Sequence, residues 1–186
     1  MTTLDFHKDI DDSIHPDKVR IAQNILGRHF DIISYEQVDI QKNMKHDDVH
    51  FVTRDGKHHH CDLKHYSPGT WASNIFLEVF SDIDYSNGWT FHLKDNKVDY
   101  VLFIWHGKAK LCYLLVDAIF LEEWFRKHYM DYDLRKNKIS VDIETGNTWQ
   151  SAFIIVPIKD LSKEQIIYWQ KFNDLDDFIV RQKKLG

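Results

Sequence analysis

Cysteine, proline and glycine are all scarce in this 186-residue chain, which has 2 Cys, 3 Pro and 7 Gly. Two cysteines, Cys61 and Cys112, cannot build a disulfide framework, so both are expected to be reduced thiols. The small number of glycines and prolines excludes a fibrous or loop-built protein. Aromatic residues are instead plentiful at 14% of the chain, enough to fill the core of an ordinary globular domain.

Long apolar runs are also missing. The longest candidates, residues 100–105 and 111–116, are far shorter than the roughly 20 residues of a membrane helix, and the first residues lack the basic and apolar regions of a signal peptide. We therefore expect a cytoplasmic protein with no membrane partner. Because there is no repeat and no Pro/Gly/Ser-rich linker, residues 1–186 are predicted to form one domain, with the segment 1–14 loosely attached.

An excess of positive charge is absent as well, because the formal net charge is -5. Nucleic-acid-binding domains are often basic overall. Only the binding face has to be positive, however, so the acidic total excludes a uniformly basic protein but not a nucleic-acid partner.

Hydrophobic periodicity predicts both helices and strands. Pro16 favours a helix start, and apolar spacing continues that helix over 16–29, whereas residues 31–38 are a strand or an irregular lead-in. Further strands are predicted over 48–53, 57–66, 74–80, 98–105, 109–116, 138–143 and 151–158. Asp117 is predicted to cap a helix to about residue 129, and Ser162 with Gln165 forms a capping-box pattern before a last helix. This order predicts an α/β (α+β) fold with a mixed central sheet flanked by helices.

The loop between the strands 48–53 and 57–66 decides which acidic residues share a face of the sheet. A two-residue turn would leave Asp48 opposite Leu63. A three-residue loop, with Gly56 in the left-handed position of a G1 bulge, places Asp48 opposite Asp62. We predict the three-residue loop, because it brings the acidic pair together.

Asp48, Asp62, Lys64 and Glu78 are the candidate catalytic residues. Asp62 and Lys64 are two positions apart on one strand and share a face, while Glu78 lies on the next predicted strand. Two carboxylates about 4 Å apart repel by roughly 4 kcal/mol at an effective dielectric near 20, and a divalent cation offsets this repulsion. Oxygen ligands favour Mg²⁺ or Mn²⁺, which would be held by Asp48, Asp62 and Glu78. Such a cation stabilises charge on a phosphate and activates water, while Lys64 positions that water or stabilises the transition state.

Asp48, followed by Asp62-Leu63-Lys64 on the next strand, resembles the motif of the PD-(D/E)XK nucleases. Asp47 stands here where the motif has proline, and Asp62 stands where Glu is commoner. The strings 74–78, 88–89 and 98–100 also resemble small phage and bacterial members of that superfamily. The resemblance covers roughly residues 16–158.

This resemblance implies a restriction-endonuclease-like αβββαβ core that hydrolyses nucleic-acid phosphodiester bonds with Mg²⁺, DNA in preference to RNA. It implies that Asp48 and Asp62 are metal ligands, that Lys64 is the catalytic lysine and that Glu78 is a further metal or water ligand. Glu36 is a candidate for the acidic residue that some members carry on a helix. Restriction-like cores often pair to cut both strands, so a homodimer is a further expectation.

Several of these residues have a second interpretation. Asp62 and Lys64 also fit a solvated strand face with an exposed ion pair. The run 58–61, His-His-His-Cys, is not predicted to bind zinc, because strand alternation points neighbours to opposite faces and no second ligand pair is evident. Positive charge beside a phosphate groove is favoured over zinc binding for its histidines, most of which are otherwise expected to be ordinary surface residues. Four aromatic residues either stack on bases or pack locally: Tyr66, Trp71, Tyr85 and Trp89.

The leading prediction is therefore a metal-dependent nuclease that uses metal-activated water. The acidic net charge and the altered motif leave two alternatives open. One is a non-catalytic module of the same fold that binds nucleic acid or a protein partner. The other is a phage-encoded inhibitor that sequesters a host enzyme.

Overall fold

The computed structural model describes residues 16–36, 48–66, 73–106, 111–141 and 145–172. The segment 1–14, which is predicted to be loosely attached, lies outside the described residues. In chain order the helices and strands are α1 (Pro16–Leu26), β1 (Ile32–Glu36), β2 (Val49–Thr53), β3 (His58–Tyr66), β4 (Asn74–Asp82), β5 (Ser86–Asn87), β6 (Tyr100–His106), β7 (Leu111–Asp117), α2 (Ala118–His128), β8 (Arg135–Lys136), β9 (Ser140–Val141), β10 (Thr148–Trp149), β11 (Ala152–Pro157) and β12 (Ile166–Phe172).

Two β-sheets form most of the described fold. The larger one has six strands in the order β1-β2-β3-β6-β7-β12, and it is mixed because β3 and β6 are parallel while its other neighbours are antiparallel. The smaller one has four antiparallel strands in the order β5-β4-β11-β8. The chain leaves the larger sheet after β3, forms β4 and β5 in the smaller sheet, and returns as β6.

Helix α1 covers one face of the larger sheet. Ala22, Ile25 and Leu26 recur at helical spacing and are fully buried. They share a core cluster with Phe51 of β2 and Tyr113 of β7. The helix predicted over 16–29 is confirmed up to residue 26, after which the chain forms a turn.

The opposite face of the larger sheet packs against the smaller sheet and α2. Phe103 of β6, Leu77 of β4 and Phe125 of α2 belong to one buried cluster. Helix α2 begins where the sequence predicts, because the Asp117 carboxylate accepts a hydrogen bond from Phe120 N at 3.0 Å and caps the helix. The α+β class with a mixed sheet is confirmed, but a second sheet takes much of the place expected for flanking helices.

The helix predicted after Ser162 is wrong. The Gln165 side chain accepts hydrogen bonds from Ser162 N at 2.7 Å and from Ser162 Oγ at 2.6 Å, and these bonds close a turn. Ile166–Phe172 then forms β12, which pairs with β7. The isoleucines and aromatic residues of this segment favour a strand, and the buried neighbour β7 supplies the backbone partners that stabilise it.

Helices are short in the part of the chain that the structure describes. Both α1 and α2 have 11 residues, and no helix there is long and apolar enough to span a bilayer.

Candidate active site

The loop between β2 and β3 sets the register of the acidic residues. Gly56 donates its backbone N–H across the turn at 2.8 Å and has a φ of 80°, as the glycine of a G1 bulge does. Val49 lies opposite Cys61, and the N–H of the preceding Asp48 also donates to Cys61 O at 3.0 Å. The predicted three-residue loop is confirmed, and so is the register from Val49–Cys61 to Val52–His58, whereas a directly opposed Asp48–Asp62 pair stays a prediction.

Asp62 is a buried carboxylate beside one lysine. Its side chain is 1% exposed, and Lys64 Nζ lies 2.9 Å from each carboxylate oxygen. Oδ1 accepts the hydrogen bond from Lys64, whereas Oδ2 is buried without a hydrogen-bond partner in the described residues. Burial raises the pKa of Asp62 to about 8, while the charge of Lys64 lowers it and the charge of Asp48 raises it. The interpretation as a solvated ion pair is wrong, since the carboxylate is shielded from water.

Lys64 is the common partner of the acidic residues. Burial lowers the pKa of its ammonium, but the carboxylates of Asp62, Asp48 and Glu78 outweigh this effect, so the net shift of the pKa is upward. Its Nζ also lies 4.4 Å from the centroid of the Trp89 ring, at the distance of a cation–π contact. Lys64 therefore stays charged and is held from two sides.

Asp48 is fixed against β3 by its backbone and by its side chain. Its N–H donates to Cys61 O at 3.0 Å, and its Oδ2 accepts from Leu63 N at 2.8 Å. The two contacts flank Asp62 on the neighbouring strand. The carboxylate of Asp48 thus accepts a backbone N–H of β3, as a carbonyl oxygen of β2 would at the end of the β2–β3 ladder. This hydrogen bond orients the Asp48 side chain beside Asp62.

Glu78 reaches the site from the smaller sheet. Its Oε2 accepts from Trp89 N at 3.2 Å. Burial raises the pKa of Glu78, against the lowering effect of this hydrogen bond and of the Lys64 charge. Only glycine fits at position 88, because a Cβ at Gly88 would lie 2.4 Å from the Glu78 carbonyl oxygen. The segment that carries Gly88 and Trp89 is therefore packed directly on Glu78.

The four candidate residues meet as an aspartate pair, a lysine and a more distant glutamate. Among the residues that the structure describes, no three His, Cys, Asp or Glu side chains are grouped closely enough to hold a metal ion. Asp48 raises the pKa of Asp62 through its charge, and the buried Oδ2 of Asp62 lies 2.9 Å from Lys64 Nζ without an assigned hydrogen bond. Glu78 is oriented toward Trp89 N instead, so its role as a metal ligand stays a prediction.

The aromatic residues near the site pack locally where they are described, with one exception. Trp89 is 9% exposed and lies under Lys64, and Tyr66 accepts a hydrogen bond from Phe76 N at 2.9 Å. Tyr85 is 87% exposed, and Trp71 lies outside the described residues. Stacking of a base on Trp89 is therefore excluded by its burial.

One residue that supports the site was missed from the sequence. Glu122 of α2 is 6% exposed and accepts hydrogen bonds from Lys94 N at 2.8 Å and from Arg126 Nε at 2.8 Å. It ties α2 to the segment that follows Trp89. Its position on the buried face of a helix, among apolar residues, is the sequence signal that could have identified it.

Two other sequence-based candidates are placed away from the aspartate pair. Glu36 is the last residue of β1 and is exposed, so it is not the helical acidic residue that the resemblance suggested. Cys61 is fully buried in the core under α1, on the face opposite to Asp62. The strand alternation that argued against a zinc site in the run 58–61 is confirmed, and Asp47 lies outside the described residues.

Comparisons with known proteins found no match to the chain among family models, curated proteins or solved structures. Function has to be inferred from the site itself.

Proposed function

We propose that this protein is a metal-dependent nuclease with a restriction-endonuclease-like core, and that it hydrolyses phosphodiester bonds of DNA in preference to RNA. The observation that supports the proposal is the placement of Asp48, Asp62 and Lys64. A buried carboxylate lies beside a second carboxylate and within 2.9 Å of an ammonium group. This combination of charges is costly for a purely structural role.

The aspartate pair fits a hard divalent cation. Asp62 Oδ2 is buried and has no assigned hydrogen bond in the described residues, so the single ammonium 2.9 Å away compensates only part of the cost of burying a carboxylate beside a second one. Oxygen donors favour Mg²⁺ or Mn²⁺, so Asp48 and Asp62 are the residues that would hold the ion. When bound, such an ion neutralises charge on the scissile phosphate and activates water.

Lys64 and the Glu78–Trp89 contact complete the site. The Lys64 ammonium is held by Asp62 and by the Trp89 ring, so it is oriented before a substrate arrives. From this position it donates a hydrogen bond to a phosphate oxygen or to the attacking water, which stabilises the developing negative charge. Glu78 positions Trp89 through the backbone hydrogen bond, and therefore acts on Lys64 through the ring.

The proposal is tested by cleavage of single-stranded, duplex and branched DNA and of RNA with Mg²⁺. We expect cleavage with Mg²⁺ or Mn²⁺ and none with EDTA. Asp62→Asn and Lys64→Met should each lower the rate by at least about 100-fold, as the loss of one transition-state stabiliser typically does. Asp133→Asn and Lys127→Met change exposed residues of the same types and should leave the rate unchanged. Full Mg²⁺-dependent cleavage by Asp62→Asn would exclude the site.

A non-catalytic module of the same fold is the second candidate. It is favoured by the lack of a ready three-ligand group among the described residues and by the ion pair that Lys64 already makes with Asp62. Tight binding of DNA by the wild type, with no hydrolysis under Mg²⁺ or Mn²⁺ and no effect of Lys64→Met on binding, would favour this candidate over the nuclease.

A further inference from the structure

A row of metal-ligating residue types crosses the three strands at the edge of the larger sheet. Glu36 of β1 is the register partner of His50 of β2, and His50 is the register partner of His60 of β3. Directly opposed residues of antiparallel strands point to the same face, with Cβ atoms about 4.5–5.5 Å apart. The three side chains therefore share the face that carries Asp48 and Asp62.

The two histidines of this row are already in contact. His50 Nε2 and His60 Nδ1 are 2.9 Å apart, and the ring centroids are 4.1 Å apart. Two metal–imidazole bonds of about 2.0–2.1 Å in the tetrahedral geometry of Zn²⁺ place their nitrogens roughly 3.3–3.4 Å apart. The two nitrogens are thus within about 0.5 Å of the spacing that a shared cation requires, and both rings are only half-buried.

We propose that His50 and His60 bind a divalent cation of the class that prefers imidazole, such as Zn²⁺, Co²⁺ or Ni²⁺, with Glu36 as the third ligand. Each neutral imidazole presents its nitrogen of this pair to the cation, and the proton that now lies between the two rings moves to the other nitrogen of the ring that carries it. No three ligands are grouped in advance among the described residues, but the exposed Glu36 side chain can rotate. It now lies 3.4 Å from His58 Nδ1 and is 48% exposed.

This site differs from the aspartate pair in position and in ligand chemistry. His50 and His60 are each two residues along their strands from Asp48 and Asp62, about 6–7 Å at ordinary strand spacing. Imidazole nitrogen favours late first-row cations, whereas carboxylate oxygen favours Mg²⁺ and Mn²⁺. The histidine site goes beyond the nuclease proposal and does not depend on it.

The test is a titration of the full-length protein with Co²⁺, followed by its visible absorption, and with Zn²⁺, followed by calorimetry. His50→Gln and His60→Gln should each weaken binding by at least about tenfold, since even loss of an outer-shell partner typically costs that much. Glu36→Gln should weaken it less. His128→Gln alters a half-exposed histidine on α2 that pairs with Asp131, and it should leave binding unchanged.

Three outcomes would overturn the proposal. They are no binding by the wild type, binding by both histidine variants that is as tight as that of the wild type, or loss of binding in Asp62→Asn alone, which would assign the cation to the aspartate pair. If a histidine variant does not fold, the imidazole proton resonances of the wild type decide the question. Zn²⁺ should shift those of His50 and His60 and leave those of His128 unchanged, and the reverse pattern contradicts the site.

Discussion

At the scale of the residue, Asp62 is the most unusual group in the described structure. A carboxyl group that is 1% exposed loses nearly all of its hydration, and one ammonium contact replaces only part of it. Its pKa is therefore about 8, far above the ordinary value near 3.9. In the absence of a cation, the folded protein holds a proton on Asp62 in a pH range where the unfolded chain has released it.

Asp62→Asn should remove this pH dependence. Between about pH 4 and pH 8 the folded state binds more protons than the unfolded state, so the free energy of unfolding falls as the pH rises. Asn does not ionise, and each pKa unit is worth about 1.4 kcal/mol. The stability of Asp62→Asn relative to the wild type should thus increase by more than about 1.4 kcal/mol from about pH 5 to pH 8.

Urea unfolding in EDTA at a series of pH values measures this difference. The exposed Asp133→Asn serves as the control and should follow the wild type at every pH. A constant offset between Asp62→Asn and the wild type would mean that folding does not raise the Asp62 pKa.

At the scale of the element, the β2–β3 hairpin depends on Gly56. Its φ of 80° lies in the left-handed region, and a Cβ added there would meet no atom within 4 Å. Gly56→Ala should therefore destabilise the protein only through backbone conformation, by roughly 1–2 kcal/mol. Gly56→Asn should cost less, because asparagine visits this region more readily. Equal losses for the two variants in urea unfolding would contradict this explanation.

The same hairpin shows what the sequence makes predictable. Loop length, one glycine and the positions of Asp48 and Asp62 are local features, and they were sufficient to predict the register. Likewise, the cap at Asp117 lies next to the helix that it starts. Where neighbours along the chain determine the geometry, the sequence-based expectation agrees with the structure.

Pairing between distant segments was not predictable in this way. β4 pairs with β11, for example Phe76 with Ile155, and nothing local to either strand indicates that they leave the larger sheet. The contact of Glu78 with Trp89 follows from that arrangement and was missed for the same reason. At Ser162, a local turn pattern was taken for a helix start, and pairing with β7 decided the outcome.

At the scale of the whole molecule, Tyr66 links the two sheets. It ends β3 in the larger sheet, and its hydroxyl accepts from Phe76 N of β4 in the smaller sheet at 2.9 Å. The Tyr66 ring also contacts Phe76 edge to face, with centroids 5.0 Å apart. The link lies two residues from Lys64 on one strand and two residues from Glu78 on the other, so it holds both halves of the site in place.

Tyr66→Phe should keep the ring contact and lose the hydrogen bond. The Phe76 N–H is then left without its partner, which costs about 1–3 kcal/mol. Thermal and urea unfolding measure the loss, and Tyr85→Phe, at an 87% exposed position, should be neutral. A Tyr66→Phe variant as stable as Tyr85→Phe would show that packing alone holds the sheets together.

The buried thiol of Cys61 allows local opening of the β2–β3 hairpin to be measured by its rate of alkylation. Its thiol is 0% exposed, and burial, together with the nearby carboxylates of Asp62 and Asp48, raises its pKa well above the ordinary value. Because the thiolate is the reactive form, we expect an alkylating reagent to react with this sulfur only when a transient opening exposes it to water. The alkylation half-time therefore measures how often the structure opens next to Asp62. A ligand that stabilises the closed strand should lengthen this half-time.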